Sequence, residues 1–248
     1  MTFRDVRRPP ESPQAGTPAR PACPAPGRPL TEHAAQPPWA WTRTGKPVFD
    51  AVLASAFLVM LSPLLVAVAV LIRLTTPGPA LIRQTRVGRN HRLFVLYKFR
   101  SMYTGSSDEV HRQYVRKLLT EDEPPAGGQR GLFKLEDDPR VTPVGRLLRR
   151  TSIDELPQLL NVIRGDMSLV GPRPALHWEV EMIGEAHGQR FDVRPGLTGL
   201  WQVSGRSRLT MRQGLELDVE YVSRQSFAFD LMILLKTVPV VLLTRGAR

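Results

Sequence analysis

Two adjacent carboxylates, Asp154 and Glu155, follow closely on three arginines, Arg146, Arg149 and Arg150. A carboxylate can attack phosphorus as a covalent nucleophile and form an acyl phosphate. That chemistry needs cations that hold the phosphates and spread the developing charge. Arg149 and Arg150 stand where they could supply it, and so could magnesium, which prefers one or two carboxylates plus phosphate oxygens and water. Pro157 is tolerated in a first helical turn, so the pair sits at or just inside a helix N-terminus, where ionised carboxylates are favoured. A blander account uses the same residues. Ser152 would cap the helix with Glu155 as its third-position partner, and the arginines would form surface ion pairs.

A second candidate is Gly165-Asp166-Met167-Ser168-Leu169-Val170-Gly171-Pro172-Arg173-Pro174. Two prolines flank Arg173, and stiff flanks would fix the direction of a phosphate-binding guanidinium, with one of the two proline bonds a candidate for cis. The alternative is a turn with one exposed arginine. The third is the glycine-rich run Arg194 to Arg206. Its glycines permit unusual backbone angles and close ligand approach, and Trp201 would pack either on a base or sugar or in the core. The histidines are scattered, and no Cys/His cluster has zinc-ligand spacing.

These residues need elements to carry them. Leu93 to Met102 alternates with a strand period, and Lys98 and Arg100 share one face with Phe94 and Leu96. A charged helix is predicted over Ser106 to Thr120, then a loop from Glu121 to Arg130. Two short helices, joined near Thr151-Ser152, fill Thr142 to Gly165. Further helices are predicted from about Ala175 to Gly188 and over Met211 to Ser223, and an apolar tail over Asp230 to Leu243, too short to span a bilayer and suited to the core or to a membrane surface.

The chain has 248 residues, enough for one catalytic domain, with a net charge of +11 and 23 prolines. The basic excess points to anionic partners: nucleic acid, anionic lipid or phosphorylated substrates. Interleaved aromatic and basic residues, as a base-stacking surface would need, are missing. The single cysteine, Cys23, excludes an internal disulfide. Proline, alanine and arginine dominate the start of the chain, which reads as a disordered arm. Trp39 and Trp41 close it, either as interfacial anchors or as part of a loose linker.

Ala51 to Ile72 carries no charge and is about long enough to cross a bilayer. Ser62-Pro63 interrupts it. Pro63 has no amide proton for the carbonyl of Val59, and the Ser62 hydroxyl is expected to bond back to Leu58. Arg43 and Lys46 precede the run; Arg73 and Arg83 follow it. Basic residues at both ends suit a hairpin that enters and leaves by the cytoplasmic face, yet proline also kinks ordinary spanning helices.

Four strings together resemble the bacterial sugar transferase family, the monotopic polyprenyl-phosphate phosphoglycosyl transferases: Lys98-Phe99-Arg100-Ser101-Met102; Thr151 through Leu159; Gly165 through Pro174; and Pro195-Gly196-Leu197-Thr198-Gly199. The similarity runs from about Lys46 to Leu243. The resemblance implies an α+β, predominantly helical fold with a small strand element and one re-entrant membrane helix broken at Ser62-Pro63. It divides the chain into an arm (1–45), a membrane helix-break-helix (46–74) and a cytoplasmic transferase domain (75–248). Larger members carry spanning helices and a further domain in front; this chain resembles the catalytic part alone. The implied reaction takes a sugar phosphate from a UDP-sugar, releases UMP and passes the phosphosugar to polyprenyl (undecaprenyl) phosphate. It would begin an exopolysaccharide or other glycoconjugate at the cytoplasmic face of the inner membrane. Asp154 matches the nucleophile and Glu155 its partner, Mg2+ is the implied cofactor on both, and Lys98, Arg100, Arg149 and Arg173 would hold phosphates. A non-catalytic, membrane-anchored basic module is the rival; it would bind anionic lipid or partner proteins and leave the Asp154-Glu155 pair without a use.

Overall fold

The computed structural model describes residues 41–104, 112–113, 138–205 and 209–243. The arm through residue 40, the loop at 121–130 and all but residues 112–113 of the charged helix over 106–120 lie outside them. The described fold is mostly helical, with two small two-stranded sheets.

A π-helical turn, Trp41–Gly45, leads into α1, Lys46–Thr75, with Pro47 in its first turn. Lys46, Asp50, Ala54, Val68 and Ile72 form its buried stripe. Val48, Val52, Val59, Val66 and Val70 are exposed. Among the described residues this is the one helix long and apolar enough to cross a membrane, and only 11% of its most apolar window is buried. The break expected at Ser62-Pro63 is not an interruption: the helix continues through Pro63. The reason is local. Proline leaves the Val59 carbonyl without its helical donor, and the Ser62 hydroxyl donates to that carbonyl at 2.8 Å, rather than to Leu58 as expected.

Both ends of α1 are fastened to the rest of the molecule. At the start, the Lys46 ammonium is buried, 2.9 Å from Asp230 and 3.7 Å from Asp50. Asp50 in turn accepts from the Ser168 hydroxyl at 2.7 Å. Lys46 is therefore an interior ion-pair partner, not the free flanking cation the sequence suggested. At the far end, Val68 and Ile72 pack with Ala80, Phe99 and Leu148.

The strand at Leu93–Phe99 (β2) is shorter than the alternation predicted, and it has an antiparallel partner that the sequence reading missed, β1 at Leu81–Val87. In their register Gln84 faces Leu96 and Ile82 faces Lys98. Next come α2 (Pro143–Thr151), a 3-10 turn (Ile153–Gln158) and α3 (Leu159–Arg164). Asn161, fully buried, ties α3 to β2: its amide accepts from Tyr97 N and donates to Val95 O, as a neighbouring strand would. β3 (Ser168–Val170) pairs in parallel with β4 (Gly196–Thr198). Between them lie α4 (His177–Ile183), which stops short of its predicted end, and a 3-10 stretch, Glu185–Phe191. The chain then forms α5 (Leu200–Ser204), α6 (Met211–Arg224) and α7 (Phe227–Leu243).

The main core gathers Leu96, Leu159, Met167, Leu169, Tyr221 and Ile233 around Ala54 of α1. α7, the predicted apolar tail, buries Ile233 completely while leaving Leu231, Leu235 and Val238 exposed.

Candidate active site

The Asp154-Glu155 pair lies in the first turn of the 3-10 stretch. Thr142 caps α2, its hydroxyl accepting from Gly145 N at 2.9 Å. Ser152 ends α2 in the left-handed region, at φ 57°, and the chain turns there into Ile153. The capping box foreseen for Ser152 is not formed; its side chain makes no cap bond, and the contact is Glu155 N donating to Ser152 O at 3.2 Å. Glu155 is thereby left to other work.

Asp154, 4% exposed, lines one cavity of about 1080 Å³ together with Glu155, Lys98, Arg149 and Arg173. Lys98 reaches it from the Gln84–Leu96 face of the hairpin. Burial, with repulsion from Arg86, pushes the Lys98 ammonium down to about 8, against the attraction of Asp154 and Glu155. Burial also lowers Arg149, again opposed by Asp154. The two cations and the two carboxylates thus share one electrostatic site, although nothing in the linear spacing of Lys98 and Asp154 announces it.

Arg100 has a different place from the one expected. It is 4% exposed and donates to Thr76 O at 2.8 Å, Thr76 Oγ1 at 2.7 Å and Pro77 O at 2.9 Å. Its guanidinium thus closes the C-terminal end of α1 and is not part of the cavity wall. Gly78 makes the room: it holds φ 113°, and a Cβ there would collide with Arg100 Nη1. Arg150 is exposed at the end of α2.

The Pro-Arg-Pro segment has only trans bonds, so neither proline bond is cis. The glycines of the third motif serve backbone packing: Cβ atoms at Gly196 or Gly199 would strike the main chain of Gly171. Trp201 is 4% exposed and packs over Gly214 in the core, and it also lines the cavity. Trp178 is the tryptophan that sequence reasoning passed over. It lines the cavity beside Leu176 and Arg173. Asp138 and Arg140 were also missed. Arg140 donates to both Asp138 oxygens at 2.7 and 2.8 Å, holding that carboxyl below the usual carboxylate range, and the pair borders the cavity near Arg149.

The cavity is chemically asymmetric. Besides the charged groups, its lining includes Phe57, Met60 and Leu64 of α1 and Leu231, Leu235 and Val238 of α7. Among the described residues no group of three or more His, Cys, Asp or Glu side chains could cage a metal ion. Two adjacent carboxylates fit a cation that arrives with phosphate oxygens and water as its other ligands, which is the habit of magnesium.

Comparison with known proteins gives a consistent picture. The family model described as bacterial sugar transferase matches residues 41–244. The exopolysaccharide production protein ExoY of Rhizobium meliloti is 42% identical over 200 residues, covering 80% of this chain and 86% of that protein. The UDP-glucose:undecaprenyl-phosphate glucose-1-phosphate transferase of Caulobacter vibrioides is 43% identical over 211 residues, 82% of this chain and 71% of that one. The galactosyl transferase CpsE of Streptococcus agalactiae is 46% identical over 172 residues; 69% of this chain is covered, but only 36% of CpsE.

Proposed function

Given that the chain belongs to the bacterial sugar transferase family, we propose that it moves a sugar 1-phosphate from a UDP-sugar, a hexose donor, to undecaprenyl or a similar polyprenyl phosphate. The relatives' names supply the substrate classes. The observation that carries the reading is the single cavity in which Asp154, Glu155, Lys98, Arg149 and Arg173 meet an apolar wall of α1 and α7. A reaction between a nucleotide diphosphate and a lipid phosphate needs a site of that mixed character.

Asp154 attacks the phosphorus that bears the sugar. An aspartyl O–P bond forms, the P–O bond to the uridine-linked phosphate breaks, and UMP leaves with the electron pair. A phosphate oxygen of the polyprenyl acceptor then attacks the same phosphorus, which frees the carboxylate and yields the polyprenyl diphosphate sugar. Lys98, Arg149 and Arg173 hold the phosphates and offset charge in both steps. Mg2+ on Asp154 and Glu155 would supply further charge neutralisation at the diphosphate. The acceptor's chain lies along the α1–α7 wall, and the nucleotide takes the side of Arg173 and Trp178.

The same reading makes the protein monotopic, with the arm and the transferase domain both cytoplasmic. Its support is the double fastening of α1: Lys46 and Asp50 at the start, and Val68, Ile72 and the Arg100-held Thr76 at the end, all rest on one domain. A helix that crossed the bilayer would carry one end about 30 Å away from that domain.

The test is a panel of UDP-sugars, each incubated with the purified protein and a polyprenyl phosphate, with UMP as the readout. Release of UMP with one or a few donors, accompanied by a lipid-linked diphosphate sugar, is expected. No release from any UDP-sugar overturns the proposal.

A further inference from the structure

Arg173 stands in a segment poor in donors, because Pro172 and Pro174 carry no N–H. Buried arginine side chains hold its carbonyls instead. Arg190 Nη2 donates to Arg173 O at 2.8 Å, and Arg86 Nη1 to Pro174 O at 3.3 Å. Arg190 is itself fixed by Asp218, which accepts from its Nη2 at 2.7 Å and its Nε at 3.2 Å. Asp218 is 1% exposed.

The guanidinium of Arg173 is held from a second direction. Glu179, in the first turn of α4, is 2% exposed. Its Oε2 accepts from Leu176 N at 2.7 Å and lies 3.5 Å from Arg173 Nη1. Capping Leu176 needs no charge, since a neutral amide oxygen would accept that bond as well. A buried carboxylate is costly unless a cation compensates it, and Arg173 is the ion-pair partner recorded for Glu179 among the described residues. An arginine has five N–H donors in a rigid fork. Arg173, so held, is also one of the residues that line the cavity.

We propose that Glu179 and Arg190 are positioning residues, which act through Arg173 by aiming its guanidinium at the diphosphate of the nucleotide; this rests on the function proposed above. Neither touches the reacting atoms. One grips the side chain and the other the carbonyl of the residue that does the binding.

A double-mutant cycle tests it, read by the dissociation constant for UDP in calorimetry on the full chain in nanodiscs, and by KM and kcat for UMP release. Glu179→Gln keeps the Leu176 cap and removes the ion pair. It should weaken UDP binding and raise KM by about tenfold, with kcat little changed, the mark of lost ground-state binding. In an Arg173→Ala background the same substitution should add nothing, because coupled residues are non-additive. Should Glu179→Gln fail to fold, Arg190→Lys runs the same cycle; it keeps the charge facing Asp218 and gives up the forked reach to the Arg173 carbonyl. Equal weakening in both backgrounds overturns the proposal, as does unchanged or tighter UDP binding in the single variant. A wild-type chain that binds no UDP overturns both this proposal and the function beneath it. Normal wild-type turnover with an additive cycle overturns the positioning role alone.

Discussion

At the scale of single residues, the charge of Lys98 changes in the pH range of an ordinary assay. Burial, with Arg86 adding repulsion, brings it down to about 8. Below that value the side chain is an ammonium that can hold phosphate; above it the charge is lost. The kcat/KM for the UDP-sugar should therefore fall as pH rises through about 8, and Lys98→Arg should move the fall to higher pH, because an arginine keeps its proton. Stability runs the other way. The unfolded chain's lysine keeps its proton to the ordinary, higher value, so between the two the unfolded state binds more protons, and Lys98 favours the fold as pH rises. Measuring kcat/KM and Tm across this window separates the two effects. An activity profile flat well above 8 would take Lys98 out of phosphate binding. Asp154→Asn should lower UMP release by about three orders of magnitude or more. Without acceptor, a phosphosugar adduct should map to Asp154 in the native chain. Near-normal UMP release by that variant would end the two-step mechanism.

At the scale of elements, α1 is clamped by buried cations at both ends, Lys46 on Asp230 and Arg100 on the carbonyls of Thr76 and Pro77. Removing one partner from a buried pair costs about 3–5 kcal/mol. Lys46→Met should show that loss as a lower unfolding midpoint in nanodiscs. Between the clamps, Ser62 and Pro63 manage one exceptional carbonyl. Replacing them with alanine and leucine restores the ordinary helical donor. In the one-sided topology proposed for α1, the native Cys23 should resist a membrane-impermeant thiol reagent applied to intact cells. The Ser62→Ala/Pro63→Leu chain should resist it as well, because the helix already runs unbroken through Pro63 and both clamps are untouched. Labelling of the native chain from outside would make α1 an ordinary spanning helix. The sequence made much of this element readable: its length, its apolar character and its special proline are local properties. The ends were misread. Lys46 looked like a flanking cation and Arg100 like a phosphate ligand, because a side chain's destination is set by partners far along the chain. β1 escaped notice for a related reason: exposed and half-buried residues alternate along Leu81–Val87 with charged ones among them, and only pairing with β2 makes it a strand.

At the scale of the whole molecule, the site is a junction. β2 supplies Lys98, α2 Arg149, the 3-10 turn the two carboxylates, and the Pro-Arg-Pro segment Arg173, while α1 and α7 supply the apolar wall. The carboxylates and Arg173 were legible as separate clusters, since each has a local signature. Their meeting was implied only by the family resemblance, and the inclusion of Trp178, Asp138 and Arg140 was not legible at all, because only the packing of the core around Leu159, Met167 and Tyr221 brings those segments together. Two expectations belong to the molecule as a unit. Chelation should halt UMP release and added magnesium should restore it; full activity in excess chelator would remove the metal from the reaction. Deleting residues 1–40 should leave UMP release by the purified protein unchanged, because Lys98, Arg149, Asp154, Glu155 and Arg173 all lie beyond them.

The bond between Lys46 and Asp230 spans 184 positions, and that separation sets an order of events during synthesis. At about 5–20 residues per second, on the order of ten to forty seconds pass between the making of the lysine and of its carboxylate. For most of that interval the apolar helix has been made while Asp230 and Tyr221, which later enclose its start, are still to come. A synthesis halted before α7 would therefore yield a chain whose apolar helix has a charged and unfinished root. Such truncated products are expected to be cleared by proteolysis, and pulse-chase turnover of chains ended before and after residue 230 would show the step in lifetime at that point.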